Sequence, residues 1–182
     1  MNMKTYHLST RGSAKGFTMV EILVVIAVIA ILATMTVGGL SFYQQKAKES
    51  RTEIFVASVS RALDDYRSDE GSYPDDGADG SETSTAVLYE VLFGDDDGDG
   101  QPDPDATIYL ETLNPSSKGA ALNVRLDGGD YILVDGFKSP LRYRAPGEQN
   151  VGSEFDLWSA GLDGETNLSN SGDETKDDLD NW

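Results

Sequence analysis

Lys15-Gly16-Phe17-Thr18-Met19-Val20-Glu21 leads directly into residues 22–40, a run of 19 residues without a charge. As an α-helix that run would be about 28 Å long at ~1.5 Å per residue, enough to cross a bilayer core of about 30 Å with its flanks. A carboxylate at Glu21, at the mouth of such a segment, is costly in hydrocarbon and calls for a partner. Arg11 and Lys15 precede the run, which favours a cytoplasmic N-terminus and a domain outside. A plain single-pass anchor accounts for the apolar run. It does not account for Glu21 or for the Gly16-Phe17 junction.

Helical patterning continues past the run. Phe55, Val59, Ala62 or Leu63, and Tyr66 recur at spacings of three and four, while Lys46, Lys48, Glu49, Arg51, Glu53, Arg61 and Asp65 cover the other faces. No proline precedes Pro74, and Gly71 with Pro74 gives a stop. The pattern predicts one helix over about 18–68, with residues 17–40 as a transmembrane half and 41–70 as an amphipathic half. Gly38-Gly39 is its weak point, since each glycine costs about 1 kcal/mol against alanine in a helix interior. A local bend or melted turn there is expected.

Beyond the helix, residues 71–182 form one modest domain. Tyr131-Ile132-Leu133-Val134, bounded by Gly128-Gly129 and Asp135-Gly136, reads as a strand. Residues 141–143 and 155–158 read as two more, with Pro146-Gly147 turning between them. Residues 86–93 suggest a short helix and 107–113 a further element. The expected fold class is α+β: a long N-terminal helix whose second half packs on a small antiparallel sheet of three to four strands.

Composition narrows the function. The 182 residues carry 14 basic and 32 acidic side chains, a net charge of −18, and loss of residues 1–16 would remove three of the basic ones. That acidity excludes nucleic acid as a partner of the domain, because phosphate binding needs a basic face. There is no cysteine and one histidine, His7, so disulfides and Ser-His-Asp or Cys-His catalysis are excluded from the domain. Paired carboxylates run glycosidase chemistry only in a cleft lined by aromatics. Two tryptophans offer little of that, and the chain reads as no enzyme.

Within residues 94–105, Asp95, Asp97 and Asp99 occupy positions 1, 3 and 5 of a calcium loop. Gly100 takes the sharp-turn position, Gln101 the carbonyl position and Asp103 position 9. Position 12 is Ala106 rather than a bidentate glutamate, and no flanking helix pair is evident, so the pattern is an EF-hand-like loop without its helices. A solvated acidic loop fits the same residues. Asp75-Asp76-Gly77-Ala78-Asp79-Gly80 is a weaker version of the pattern.

The Gly16-Phe17…Glu21 junction resembles the processing site of the type IV pilin superfamily. That resemblance implies a leader over residues 1–16, cut after Gly16 by a prepilin peptidase, with Phe17 the N-methylated new terminus. It also implies that Glu21 meets the N-terminal ammonium of a neighbouring subunit, which fixes register in a filament. Gly71-Ser72-Tyr73-Pro74, Asp135-Gly-Phe-Lys-Ser-Pro140-Leu-Arg-Tyr143, the Ser159-Ala-Gly-Leu-Asp-Gly164 stretch and the closing Asp177-Asp-Leu-Asp-Asn-Trp182 are similar to the major, G-type pseudopilins of type II secretion. Phe137 stands where those proteins usually have Trp. The similarity covers roughly residues 12–74 and 131–182.

In that branch a C-terminal loop binds calcium, and the resemblance places its aspartates at Asp163 and Asp178, with Ala160 and its neighbours offering carbonyl oxygens. The gap between the two aspartates is longer than usual, so Asp173 or Asp177 is a substitute ligand. An acidic, solvated tail is the other reading. The resemblance implies a pilin-like fold and a structural subunit of the secretion pseudopilus, in the inner membrane with a periplasmic domain. Its partners would be its own copies in a helical homopolymer, minor pseudopilins, the prepilin peptidase and the inner-membrane assembly platform. A type IV pilin for adhesion or motility, and a membrane-tethered calcium-binding module that never polymerises, are the alternatives.

Overall fold

The computed structural model describes residues 16–75, 77–119, 123–149, 154–167 and 177–182. Residues 1–15, which hold most of the expected leader, and Asp173 lie outside the described residues, as do the side chains of residues 35–39. Helix α1 runs Met19–Glu70, 52 residues, and continues through Gly38-Gly39. The chain divides after Tyr43 into two compact units.

In the first unit α1 carries Leu23, Ile26, Ile29 and Leu32 more than half exposed, as are Leu40, Phe42 and Tyr43. Among the described residues no helix is long and apolar enough to cross a membrane. The uncharged run counted in the sequence includes residues 35–39, whose side chains are not among those described.

In the second unit the rest of α1 turns one face inward. Phe55, Val56, Val59, Ala62 and Leu63 are buried in a core with Leu88, Leu92, Leu113, Leu133, Leu141, Tyr143 and Leu157. This is the stripe read from the sequence. Helix α2, Ala86–Tyr89, runs on as a π-turn over Glu90–Gly94, and a 3₁₀ turn covers Glu111–Leu113. The short helix expected over 86–93 thus enters the Asp95 loop, and no second helix makes it a pair among the described residues. No helix leaves it among the described residues: backbone N–H bonds from Tyr109 and Leu110 to the Leu92 carbonyl turn the chain back onto the core.

Among the described residues five short strands form two antiparallel sheets, where the sequence suggested one. Strands β1 (Val124–Asp127) and β2 (Asp130–Leu133) make a hairpin around Gly128-Gly129. Strand β4 (Asp156–Ser159) lies between β3 (Leu141–Arg144) and β5 (Leu179–Asp180). The β3–β4 register sets Tyr143 opposite Leu157 and Leu141 opposite Ser159. Strand β4 is buried throughout despite two polar members. Asp156 accepts N–H bonds from Glu148 (2.6 Å) and Gln149, and the Ser159 hydroxyl donates to Asp135, so neither polar group is stranded in the core.

Candidate functional site

At the head of α1, the Glu21 carboxylate accepts the Thr18 backbone N–H and hydroxyl, both at 2.9 Å, while the Thr18 hydroxyl accepts the Glu21 N–H at 3.2 Å. This is a capping box, in which two of the helix's first N–H groups find side-chain acceptors. Its signature, Thr-x-x-Glu, was legible in the sequence and went unread there. Both bonds into the carboxylate land on Oε2, and among the described residues no hydrogen bond is recorded to Oε1. Gly16 is exposed and Phe17 is 82 % exposed, so the junction stands open.

The Asp95 loop is the tightest acidic cluster. Among the described residues only Asp95, Asp97 and Asp99 bring three carboxylate oxygens within 4.8 Å of one another. Asp95 is fully buried and held from three directions: Tyr89 Oη donates to it at 2.8 Å, Gly100 N–H at 2.8 Å and Asp99 N–H at 3.1 Å. Burial, then the bond to Asp95, pushes the Tyr89 phenol far above its ordinary value, so it stays a donor. Gly100 has φ +84°, and a Cβ there would meet the Tyr131 hydroxyl at 3.0 Å and Pro115 at 3.2 Å. Only glycine suits the sharp-turn position. Asp103 is spent differently: its Oδ2 accepts the Asp96 N–H, which ties off the loop. Gln101 is exposed, and its N–H donates to Asp99.

The C-terminal set gathers more loosely. The Asp177 carboxylate accepts the N–H groups of Leu162 (2.6 Å) and Asp163 (3.3 Å), so the two acidic segments meet across the longer gap. Gly161 makes this approach possible, because at φ +61° a Cβ would lie 2.4 Å from the Asp177 carbonyl oxygen. Asp163 accepts the Glu165 N–H, and the Ala160 carbonyl accepts the Gly164 N–H. Asp178 Oδ2 accepts the Thr166 hydroxyl at 2.6 Å, while its Oδ1 is buried with no partner among the described residues. Desolvation, and beyond it the charges of Asp177, Asp163 and Asp180, raise the Asp178 pKa against the lowering bond from Thr166. A buried carboxylate oxygen left without a partner among the described residues costs free energy that one ligand bond to a hard cation would offset. Thr166 as the steering partner of Asp178 was not legible in the sequence.

The described residues thus combine a long helix, headed by an exposed Gly-Phe junction and a capped glutamate, with a small α+β domain on its second half. Residues 11–37 match the prokaryotic N-terminal methylation motif. The chain is similar to core proteins G of type II secretion systems. It is 29 % identical to the type II secretion system core protein G of Escherichia coli K12 over 170 residues, 92 % of this chain and 90 % of that protein. It is also 29 % identical to the core protein G of Pseudomonas aeruginosa over 173 residues, 94 % and 97 % of the two chains. The crystal structure of the major pseudopilin of enterohaemorrhagic E. coli superposes with a TM-score of 0.42 at 21 % identity, covering 79 % of this chain and 89 % of that one.

Proposed function

We propose that this chain is the major-type structural subunit of a type II secretion pseudopilus, a periplasmic filament that drives folded proteins across the outer membrane. The observation that carries the reading is end-to-end similarity to core protein G at both the methylation motif and the domain. The chain performs no catalysis. Cleavage after Gly16 frees the Phe17 ammonium, and Glu21 Oε1 of a neighbouring copy receives it. Outside water a lone carboxylate is strongly unfavourable, so this pair sets the register between copies. The exposed apolar half of α1 sits in the inner membrane before assembly and against other copies afterwards.

Calcium is the proposed cofactor. Asp163, Asp178 and the Ala160 carbonyl would hold it, with Asp177 or Asp173 completing the set; the buried Asp178 Oδ1 supports this. When bound, the cation would supply positive charge to carboxylates that otherwise repel, which stiffens a domain without disulfides. Asp95, Asp97, Asp99, Gln101 and Asp103 form a second proposed site, of which the converging three aspartates are the supported part.

The deciding experiment compares the extracellular proteomes of a strain lacking this gene and its parent. Loss of released enzymes, with their accumulation in the periplasm, is the expected result. Unchanged secretion with lost surface filaments or twitching would move the assignment to a type IV pilin.

A further inference from the structure

The chain is strongly acidic, yet its basic side chains are not spread evenly. Arg67, Arg125, Arg142 and Arg144 are each matched to a carboxylate of this chain, as is Lys46. Lys48 and Arg51, like Arg61 and Lys118, make no ion pair among the described residues, and Lys48 and Arg51 are exposed on α1 where the domain begins. The loop after β2 is docked against this stretch. Gly136 N–H donates to Thr52 Oγ1 at 2.9 Å, and a Cβ on Gly136 would fall 2.4 Å from the Lys48 carbonyl oxygen. The docking carries Lys138 to Arg51. Partial desolvation, then the Arg51 charge, lowers the Lys138 pKa. Lys138 sits at φ +76°, a left-handed backbone that favours glycine, and its carbonyl accepts Arg125 Nη1 at 3.1 Å. The Lys48 ammonium lies 5.7 Å from the Phe137 ring centroid. These contacts make a basic collar on a fixed seat.

The other end of the same helix is acidic. Asp69 and Glu70 close α1, and the Tyr109 hydroxyl donates to Asp69. Glu70, Glu90, Asp96, Asp103 and Asp105 line one hollow beside Tyr66. Arg51 and Glu70 are 19 residues apart on one helix, an axial separation of about 28 Å. A body positive at one end and negative at the other attracts its own copies.

We propose that the collar of Lys48, Arg51 and Lys138 docks the acidic end of a second copy of this chain, the surface that carries Glu70, Asp96 and Asp105. The inference rests on the filament reading above. Every α1 then starts from the same membrane, so the copies are parallel, and an axial offset of about 28 Å brings collar to acidic end. Such a contact is head-to-tail and leaves both outer ends unsatisfied, so it propagates.

The absence of cysteine makes the test clean. In the full-length chain expressed with its assembly system, Arg51→Cys with Asp105→Cys is oxidised in assembled material. A ladder of covalent dimers, trimers and longer species is expected. A product that stops at the dimer would indicate a two-fold contact and overturn the proposal. In parallel, Arg51→Glu with Lys138→Glu should lower filament yield by about tenfold at an unchanged melting temperature, and Glu70→Lys, Asp96→Lys and Asp105→Lys together should restore it. Parental filament yield in the collar variant, without a ladder, overturns the docking and leaves the filament reading intact. Loss that the second set does not restore, with weakened binding to phosphatidylglycerol vesicles, assigns the collar to lipid and also overturns it. No filament from the parent and no ladder would remove both readings together.

Discussion

Both halves of α1 carry large aliphatic side chains, and those side chains meet opposite fates. Ile26 and Ile29, before Tyr43, are 61 % and 58 % exposed; Val59 and Leu63, after it, are wholly buried. Local propensity does not separate them, since both halves are helical. The second half is buried in the domain's core, while the described side chains of the first half stand exposed. Burying an aliphatic side chain is worth about 1.5–3 kcal/mol, so some twenty residues of apolar helix are a large unsatisfied surface. On the filament reading proposed above, the difference teaches that the subunit is incomplete: its first half is there to be covered by lipid or by other copies, and its second half carries the domain.

Substitution at matched positions sharpens that contrast most. Leu63→Ala should destabilise the domain by about 3 kcal/mol in urea unfolding, because it leaves a cavity in a sealed core. Ile26→Ala should leave the unfolding midpoint of the domain unchanged and reduce filament yield instead. Equal effects of the two on stability would break the comparison.

Calcium gives the next largest effect. At a hundredfold excess over its dissociation constant the ion should add about 2.7 kcal/mol to the domain's stability. Asp163→Ala and Asp178→Asn should each lose that increment, and equal melting temperatures of parent and variant in calcium would count against the C-terminal site. Neither substitution should alter a readout confined to the exposed half of α1.

The smallest effect is a pH dependence owed to the buried Asp135. Burial raises its pKa, against the lowering bonds from Ser159, Ser139 and Phe137. A carboxyl whose folded pKa lies above its unfolded one stabilises the fold when protonated. Its contribution is therefore fully present below the unfolded value and is lost as pH rises through the folded one. Lowering the pH from neutrality towards the folded pKa should raise the melting temperature, and Asp135→Asn should flatten that slope. A parent slope of the opposite sign would contradict the burial argument.

Much of this was legible in the chain. The stripe from Phe55 to Leu63 gave the buried face of α1, and β-branched and aromatic runs gave β2, β3 and β4. Strand β1 was missed because in Val124–Asp127 only Val124 is buried, so the apolar alternation of a strand is absent. Strand β5 is two residues long and exists by pairing with Trp158 and Ser159, a tertiary fact. The aspartate spacing of the Asp95 loop announced its convergence, but the Tyr89 hydroxyl beneath Asp95 comes from an adjacent helix. At the C-terminal set the aspartates were readable by resemblance. The orphaned Asp178 Oδ1, and Thr166 holding its other oxygen, emerge only when the loops fold together.

The central claim, that the exposed half of α1 is completed by copies of the same chain, is tested most directly through Glu21. Full-length parent and Glu21→Ala chains, expressed with the same assembly system, are compared for pelletable filament by electron microscopy and sedimentation. The account predicts equal amounts of processed, membrane-bound subunit and filament only from the parent. Filaments in parental amount from Glu21→Ala would contradict it.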